Sequence, residues 1–167
     1  NGVRPSEISE IITHLAFYVG WGNAMAAVPI AKGVFETRGV AQAHLPSASD
    51  SLLPPDEAAE AQRAALVEQT VGPVSPGLVD DTRDVLFKDL WLRPALAPRD
   101  RSLVTVSALI ATGQVAQVTF HPTRAMDSGL TRLHPRDVIS HLAFYAGWPY
   151  AFSAVPVAKD VFDKRPR

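Results

Sequence analysis

The residue types best suited to chemistry fall in one stretch, Gln114-x-x-Gln117-x-x-x-His121, with Arg101 on the element before it. On a helix the spacing i, i+3, i+7 projects both amides and the imidazole from one face. A histidine, two amides and an arginine around an apolar wall can hold a small carboxylate and supply a proton. From spacing alone, a satisfied polar cluster between helices explains the same residues equally simply.

Two further pairs recur within the chain. His14 precedes Tyr18 by four residues, and His141 precedes Tyr145 by four, so each pair shares one flank of its helix, just off the apolar stripe. Each pair is expected to make a structural hydrogen bond ahead of lining a cleft. His44 and His134 fall in predicted loops and receive no role. No HxH or HExxH spacing occurs, so no metal site is expected.

The elements that must position these residues are organised by a repeat. Residues 14–38 and 141–165 read HLAFYVGWGNAMAAVPIAKGVFETR and HLAFYAGWPYAFSAVPVAKDVFDKR, identical at 16 of 25 positions with an offset of 127. That spacing is of domain size, well above solenoid units of about 20–50 residues. In the first copy Ile8, Ile11, Ile12, Leu15, Ala16 and Val19 mark an amphipathic helix, with Pro5-Ser6-Glu7 as turn, cap and early carboxylate and Gly20 as stop. A second helix is predicted from about Asn23 to Phe35, joined by Gly20-Trp21-Gly22 into an antiparallel hairpin. Copy two repeats the link as Gly147-Trp148-Pro149, and Pro29 and Pro156 predict a kink in each second helix.

Between the copies, 39–56 reads as an Ala-, Ser- and Pro-rich linker, and helical patterning resumes over Glu57–Thr70 and Leu78–Leu92. Pro98–Gly113 is the most apolar stretch; its length, early proline and terminal glycine predict a buried central helix. A further helical stretch runs from Val115 to Asp127. No segment alternates with period two, so the fold class is all-α. The domains expected are a partial repeat over 1–38, a linker over 39–56 and a complete domain over 57–167. The first copy is expected to lack roughly its first half, which leaves its hairpin to pack elsewhere on the chain or across an oligomer interface.

Composition narrows the function classes. Sixteen Lys and Arg are interspersed with 17 Asp and Glu, leaving a net charge of -1 and no basic face for nucleic acid. No window of 18 apolar residues and no signal-like start occur, so no membrane partner and a cytoplasmic location are expected. Cysteine is absent, which removes thiolate nucleophiles and disulfide exchange.

Arg101-Ser-Leu-Val-Thr-Val, Gln117-x-x-x-His121, Gly129-Leu-Thr and His141-Leu-Ala-Phe-Tyr-Ala-Gly-Trp-Pro together resemble the carboxymuconolactone decarboxylase family. The resemblance covers about residues 60–165 as one domain and 1–38 as the C-terminal half of another. It implies an all-helical fold of the alkyl hydroperoxidase D type, assembled as trimers, hexamers or tandem-repeat equivalents. In the family's peroxidase branch a CxxC pair lies seven and four residues before the histidine, with an earlier glutamate; here those positions are Gln114, Gln117 and Ser102. An amide cannot replace a thiolate attacker, so peroxidase activity is excluded. The decarboxylase branch implies loss of carbon dioxide from a carboxylated lactone without cofactor or metal. His121 would then be the acid or base and Arg101 a carboxylate anchor, with Gln114, Gln117, His141 and Tyr145 as further substrate contacts. The alternative is a non-catalytic, oligomeric binding or structural member of the family.

Overall fold

The computed structural model describes residues 2–48, 51–118 and 133–164, with side chains omitted for 133–135. Among these residues the chain is helical and contains no strand. The first hairpin is α1 (Pro5–Val19) and α2 (Trp21–Thr37); α3 (Glu57–Val71) and α4 (Pro76–Asp81) follow. The central helix is α5 (Pro98–Ala111), then α6 (Val115–Val118), and the second hairpin is α7 (Leu133–Tyr145) and α8 (Trp148–Asp163). The expected helix to Asp127 is described only as far as Val118, and the remainder lies outside the described residues.

Both hairpins turn at a glycine. Gly20 and its counterpart Gly147 have φ of 90° and 107°, a region that side-chain-bearing residues rarely enter, so Gly20 alone links α1 to α2 and Ala146-Gly147 links α7 to α8. At the start of α1 the N-cap is Arg4, not Ser6. Pro5 occupies the first helical turn, and the Glu7 carboxylate accepts from the Arg4 backbone N–H at 2.7 Å and from its guanidinium at 2.8 Å. The second helices run through Pro29 and Pro156. Both prolines lie on exposed turns beside Met25 and Phe152, 59% and 67% exposed, where water can satisfy the carbonyl freed by the missing N–H.

The stretch predicted as one helix over Leu78–Leu92 is broken. After α4 the chain widens into a π-helical turn at Thr82–Phe87 and ends in a 3-10 turn at Leu90–Leu92. Leu90, Trp91 and Leu92 are all buried. Successive α-helical side chains point about 100° apart, so three in a row cannot face one core from a regular helix, and the chain leaves the helix to bury them. Arg63 of α3 lies over the Phe87 ring at 3.8 Å and pairs with Glu60 at 2.7 Å, which clamps α3 on this turn.

At the start of the 3-10 turn, Asp89 accepts two hydrogen bonds from Arg93, at 2.8 and 2.6 Å. The Arg93 guanidinium holds the Asp89 carboxyl below the ordinary carboxylate range. A depressed carboxyl stabilises the fold fully above its unfolded pKa and loses that contribution as pH falls through the depressed value. The Asp89 side chain is 37% exposed, so solvent screens the pair. Asp89→Asn should therefore cost at most about 1 kcal/mol near neutral pH in urea unfolding. The gap to wild type should close as pH falls below the ordinary carboxylate range.

α5 lies between the two hairpins. Val106, Leu109 and Ile110 pack with Val118 of α6 and Ala154 of α8, flanked by Tyr18, Ile139, Leu142 and Val157. Its opposite side carries Arg101 and Thr105, which meet α1.

Candidate functional site

The densest cluster of polar side chains among the described residues is sealed between α1 and α5. Glu10 is 3% exposed, and His14, Arg101, Ser102 and Thr105 are 0% exposed. Arg101 donates from Nη2 to Glu10 Oε1 at 2.8 Å and to the Arg93 carbonyl at 2.9 Å, and its Nη1 lies 3.1 Å from His14 Nδ1. His14 Nε2 lies 2.7 Å from Thr105 Oγ1, and Thr105 Oγ1 lies 3.0 Å from the Arg101 carbonyl.

This network fixes its own protons. A guanidinium only donates, so His14 Nδ1 must accept, and the imidazole proton is therefore on Nε2. Nε2–H then donates to Thr105, whose hydroxyl proton goes on to the Arg101 carbonyl. With these donors and acceptors the cluster holds a neutral imidazole beside a charged guanidinium. Burial pulls the Arg101 guanidinium below its ordinary value, opposed by the hydrogen bond and charge of Glu10. Arg101 Nε has no hydrogen-bond partner among the described residues. Aromatic rings close the cluster. Tyr18 and Trp91 lie 4.9 and 5.3 Å from the His14 ring, Trp91 edge-on, and Trp91 Nε1 donates to the Tyr18 hydroxyl at 2.9 Å.

The residues singled out in the sequence do not all meet. Arg101 faces α1, and its guanidinium is engaged there. Gln114 and Gln117 are exposed around the start of α6. The His141 and Tyr145 rings lie 4.7 Å apart and tilted on α7, both exposed, Tyr145 by 78%. His121 lies outside the described residues. His14 does find the structural hydrogen bond expected of it, with Thr105. Glu10, Thr105 and Trp91 were not singled out by sequence reasoning. The only signal for Glu10 was its place four residues before His14 on the same flank as Tyr18.

Among the described residues a cavity reaches the cluster. It has a volume of about 470 Å³ and is lined by Arg4, Ser6, Glu10, Ser47, Arg93 and Pro94 among others, so Glu10 joins it to Arg101. Its lining is mixed in charge, because the Glu10 carboxylate shares the space and both guanidinium groups are paired, Arg4 with Glu7 and Arg93 with Asp89. The hairpins also carry matching grooves of about 520 and 530 Å³, in which Ile12, Val28, Lys32 and Phe35 correspond to Ile139, Val155, Lys159 and Phe162 at the offset of 127. No group of side chains able to hold a metal ion occurs among the described residues.

The profile of the carboxymuconolactone decarboxylase family matches residues 76–160, which is 85 of 167 residues and spans the 3-10 turn, α5, α6 and the second hairpin. The chain belongs to the carboxymuconolactone decarboxylase family. It is similar to a 4-carboxymuconolactone decarboxylase of Acinetobacter baylyi, 34% identical over 74 residues, covering 44% of this chain and 55% of the relative. It is also similar to a nitrosuccinic acid decarboxylase of Metarhizium robertsii, 32% identical over 79 residues, covering 45% of this chain and 55% of the relative. The chain thus spans about half the length of these relatives. The family's all-helical character agrees with the fold, and no described helix is long and apolar enough to cross a membrane.

Proposed function

We propose that this protein is a cofactor-free decarboxylase of a small acid, of the class of 4-carboxymuconolactone or a related carboxylated compound. Family membership, with two relatives both named as decarboxylases, carries the reading. Within the family, the glutamines at 114 and 117 stand where thiol chemistry needs cysteines, which favours decarboxylation over peroxide reduction.

Decarboxylation breaks the bond to the carboxylate carbon, releases carbon dioxide and leaves an electron pair that must be delocalised and then protonated. His121 is the proposed proton donor. Arg101 is better suited to positioning than to anchoring, since its guanidinium already serves Glu10, His14 and the Arg93 carbonyl. Gln114, Gln117, His141 and Tyr145 remain proposed as further substrate contacts, for which their exposure leaves them accessible.

The test is turnover of 4-carboxymuconolactone followed spectroscopically. His121→Ala should reduce it by about 10²–10⁴-fold. Equal rates would remove His121 from the mechanism, and no turnover by the wild type would remove this substrate. Peroxide with a thiol donor should give no reaction. A second reading, an oligomeric scaffold without catalysis, is favoured by one observation: broad exposed apolar faces, including Ile30 at 73% and Phe144 at 79%.

A further inference from the structure

His14 and His141 share a local sequence, but the surroundings of His14 admit only one protonation state. His141 is exposed on α7. His14 is sealed between α1 and α5, with Nδ1 at 3.1 Å from Arg101 Nη1 and Nε2 at 2.7 Å from Thr105 Oγ1. A second proton on this imidazole lands on Nδ1, where a guanidinium that can only donate already stands. The donor and acceptor then become two donors, each positively charged, and both side chains are 0% exposed.

The charged groups on the elements around His14 are already matched. On α1, Glu10 accepts from Arg101 at 2.8 Å, and the Tyr18 ring lies 4.9 Å from the imidazole with its hydroxyl accepting from Trp91. On α5 stand Arg101 itself and the Thr105 hydroxyl, which already accepts from Nε2–H. On the 3-10 turn are Trp91, edge-on to the imidazole, and Arg93, whose guanidinium is held by Asp89 at 2.6 Å. If Glu10 turned to an imidazolium it would leave Arg101, so among the described residues three cations would share two carboxylates.

α1 has little else to hold it on α5. Its buried residues are Glu10, His14 and Ala16, two of them polar, and the buried residue of α2 is Ala24. The other side of α5 is different. There Val106, Leu109 and Ile110 pack with Val118 and Ala154, aliphatic contacts that do not change with pH.

We propose that Glu10, His14 and Arg101 form an acid-sensitive latch. The first hairpin stays on α5 while His14 is neutral, and protonation of His14 releases it, with the packing of α5 on α6 and α8 retained. A released His14 takes up its proton at about pH 6.5, as a solvated histidine does, and the docked one takes up none. The released state thus binds more protons, so docking strengthens as pH rises and weakens by about tenfold for each unit below that midpoint. The latch rests on the geometry of the cluster and not on the decarboxylase reading.

Amide exchange of the full chain at about pH 7.5 and about pH 5, corrected for the intrinsic pH dependence of exchange, reads the latch directly. Protection of α1 should fall about thirtyfold between the two, while that of α8 stays within about twofold. In His14→Gln the side-chain oxygen can accept from Arg101 and the nitrogen can donate to Thr105 without titrating, so α1 protection should change by less than about threefold. His141→Gln should respond as the wild type does. The His14 Cε1–H resonance of the wild type gives a second measurement that does not depend on any variant folding. It should keep the shift of a neutral imidazole for as long as α1 is protected. A His14 resonance that moves to the charged shift while α1 stays protected overturns the proposal. So does α1 protection that is equal at the two pH values, or an equal acid loss in His14→Gln. Loss of α8 protection together with that of α1 would mean that the whole fold opens at once, and would overturn the latch as well.

Discussion

Glu10→Ala should destabilise the protein by about 3–5 kcal/mol, the loss typical when one partner of a buried ion pair is removed and the other stays. Arg101 is fully buried, and its guanidinium loses its paired carboxylate once the 2.8 Å bond to Glu10 is gone. Its remaining partners, the Arg93 carbonyl and His14 Nδ1, are neutral acceptors and leave the charge uncompensated. Against a domain stability of about 5–15 kcal/mol the change is large enough to be read directly in urea unfolding. The double variant Glu10→Leu, Arg101→Met should recover most of the loss, because it deletes both charges and refills the space with apolar volume. If Glu10→Ala alone stays within about 1 kcal/mol of wild type, the guanidinium has found another counter-charge or water, and the sealed cluster is wrongly drawn.

The same pair shows what was and was not legible in the sequence. Helix periodicity and the glycines at 20 and 147 located both hairpins to within two residues, because an amphipathic stripe and a positive-φ stop are local properties. Arg101 was recognisable as an unusual charge opening an apolar helix. Its partner was not, since Glu10 lies 91 residues away and only the docking of α1 on α5 brings them together. The break at Thr82–Phe87 was hidden for a related reason. Val85, Leu86 and Leu90 keep helical rhythm, and only the demand to bury Leu90, Trp91 and Leu92 together reveals that the rhythm is abandoned. His14 and His141 show the limit most clearly. Their local sequences are nearly identical, yet one is sealed and the other open, because burial depends on what lies across from a helix and not on the helix itself. As for the proposed catalytic residue, spacing placed His121 on the face of Gln114 and Gln117, and it lies outside the described residues.

Trp91→Ala is the second change expected to cost about 3–5 kcal/mol, the range for removing a large buried aromatic. Three separate contacts end with it. The ring stacks on Phe87 at 5.9 Å, meets the His14 imidazole edge-on at 5.3 Å, and donates through Nε1 to the Tyr18 hydroxyl at 2.9 Å. The ring is 2% exposed and sits on the 3-10 turn whose neighbours Leu90 and Leu92 are also buried, so the surrounding backbone has little freedom to collapse into the void. Trp91→Phe separates the contributions. It keeps an aromatic ring against Phe87 and His14 but removes the donor to Tyr18, and should cost about 1–2 kcal/mol, one hydrogen bond and a modest loss of volume. Far-ultraviolet circular dichroism in urea is the proper measure, because the substitution removes the buried indole that fluorescence would follow. Equal losses for the two variants would mean that the Nε1 bond to Tyr18, and not ring packing, fixes α1 against the turn and so holds His14 in the cluster.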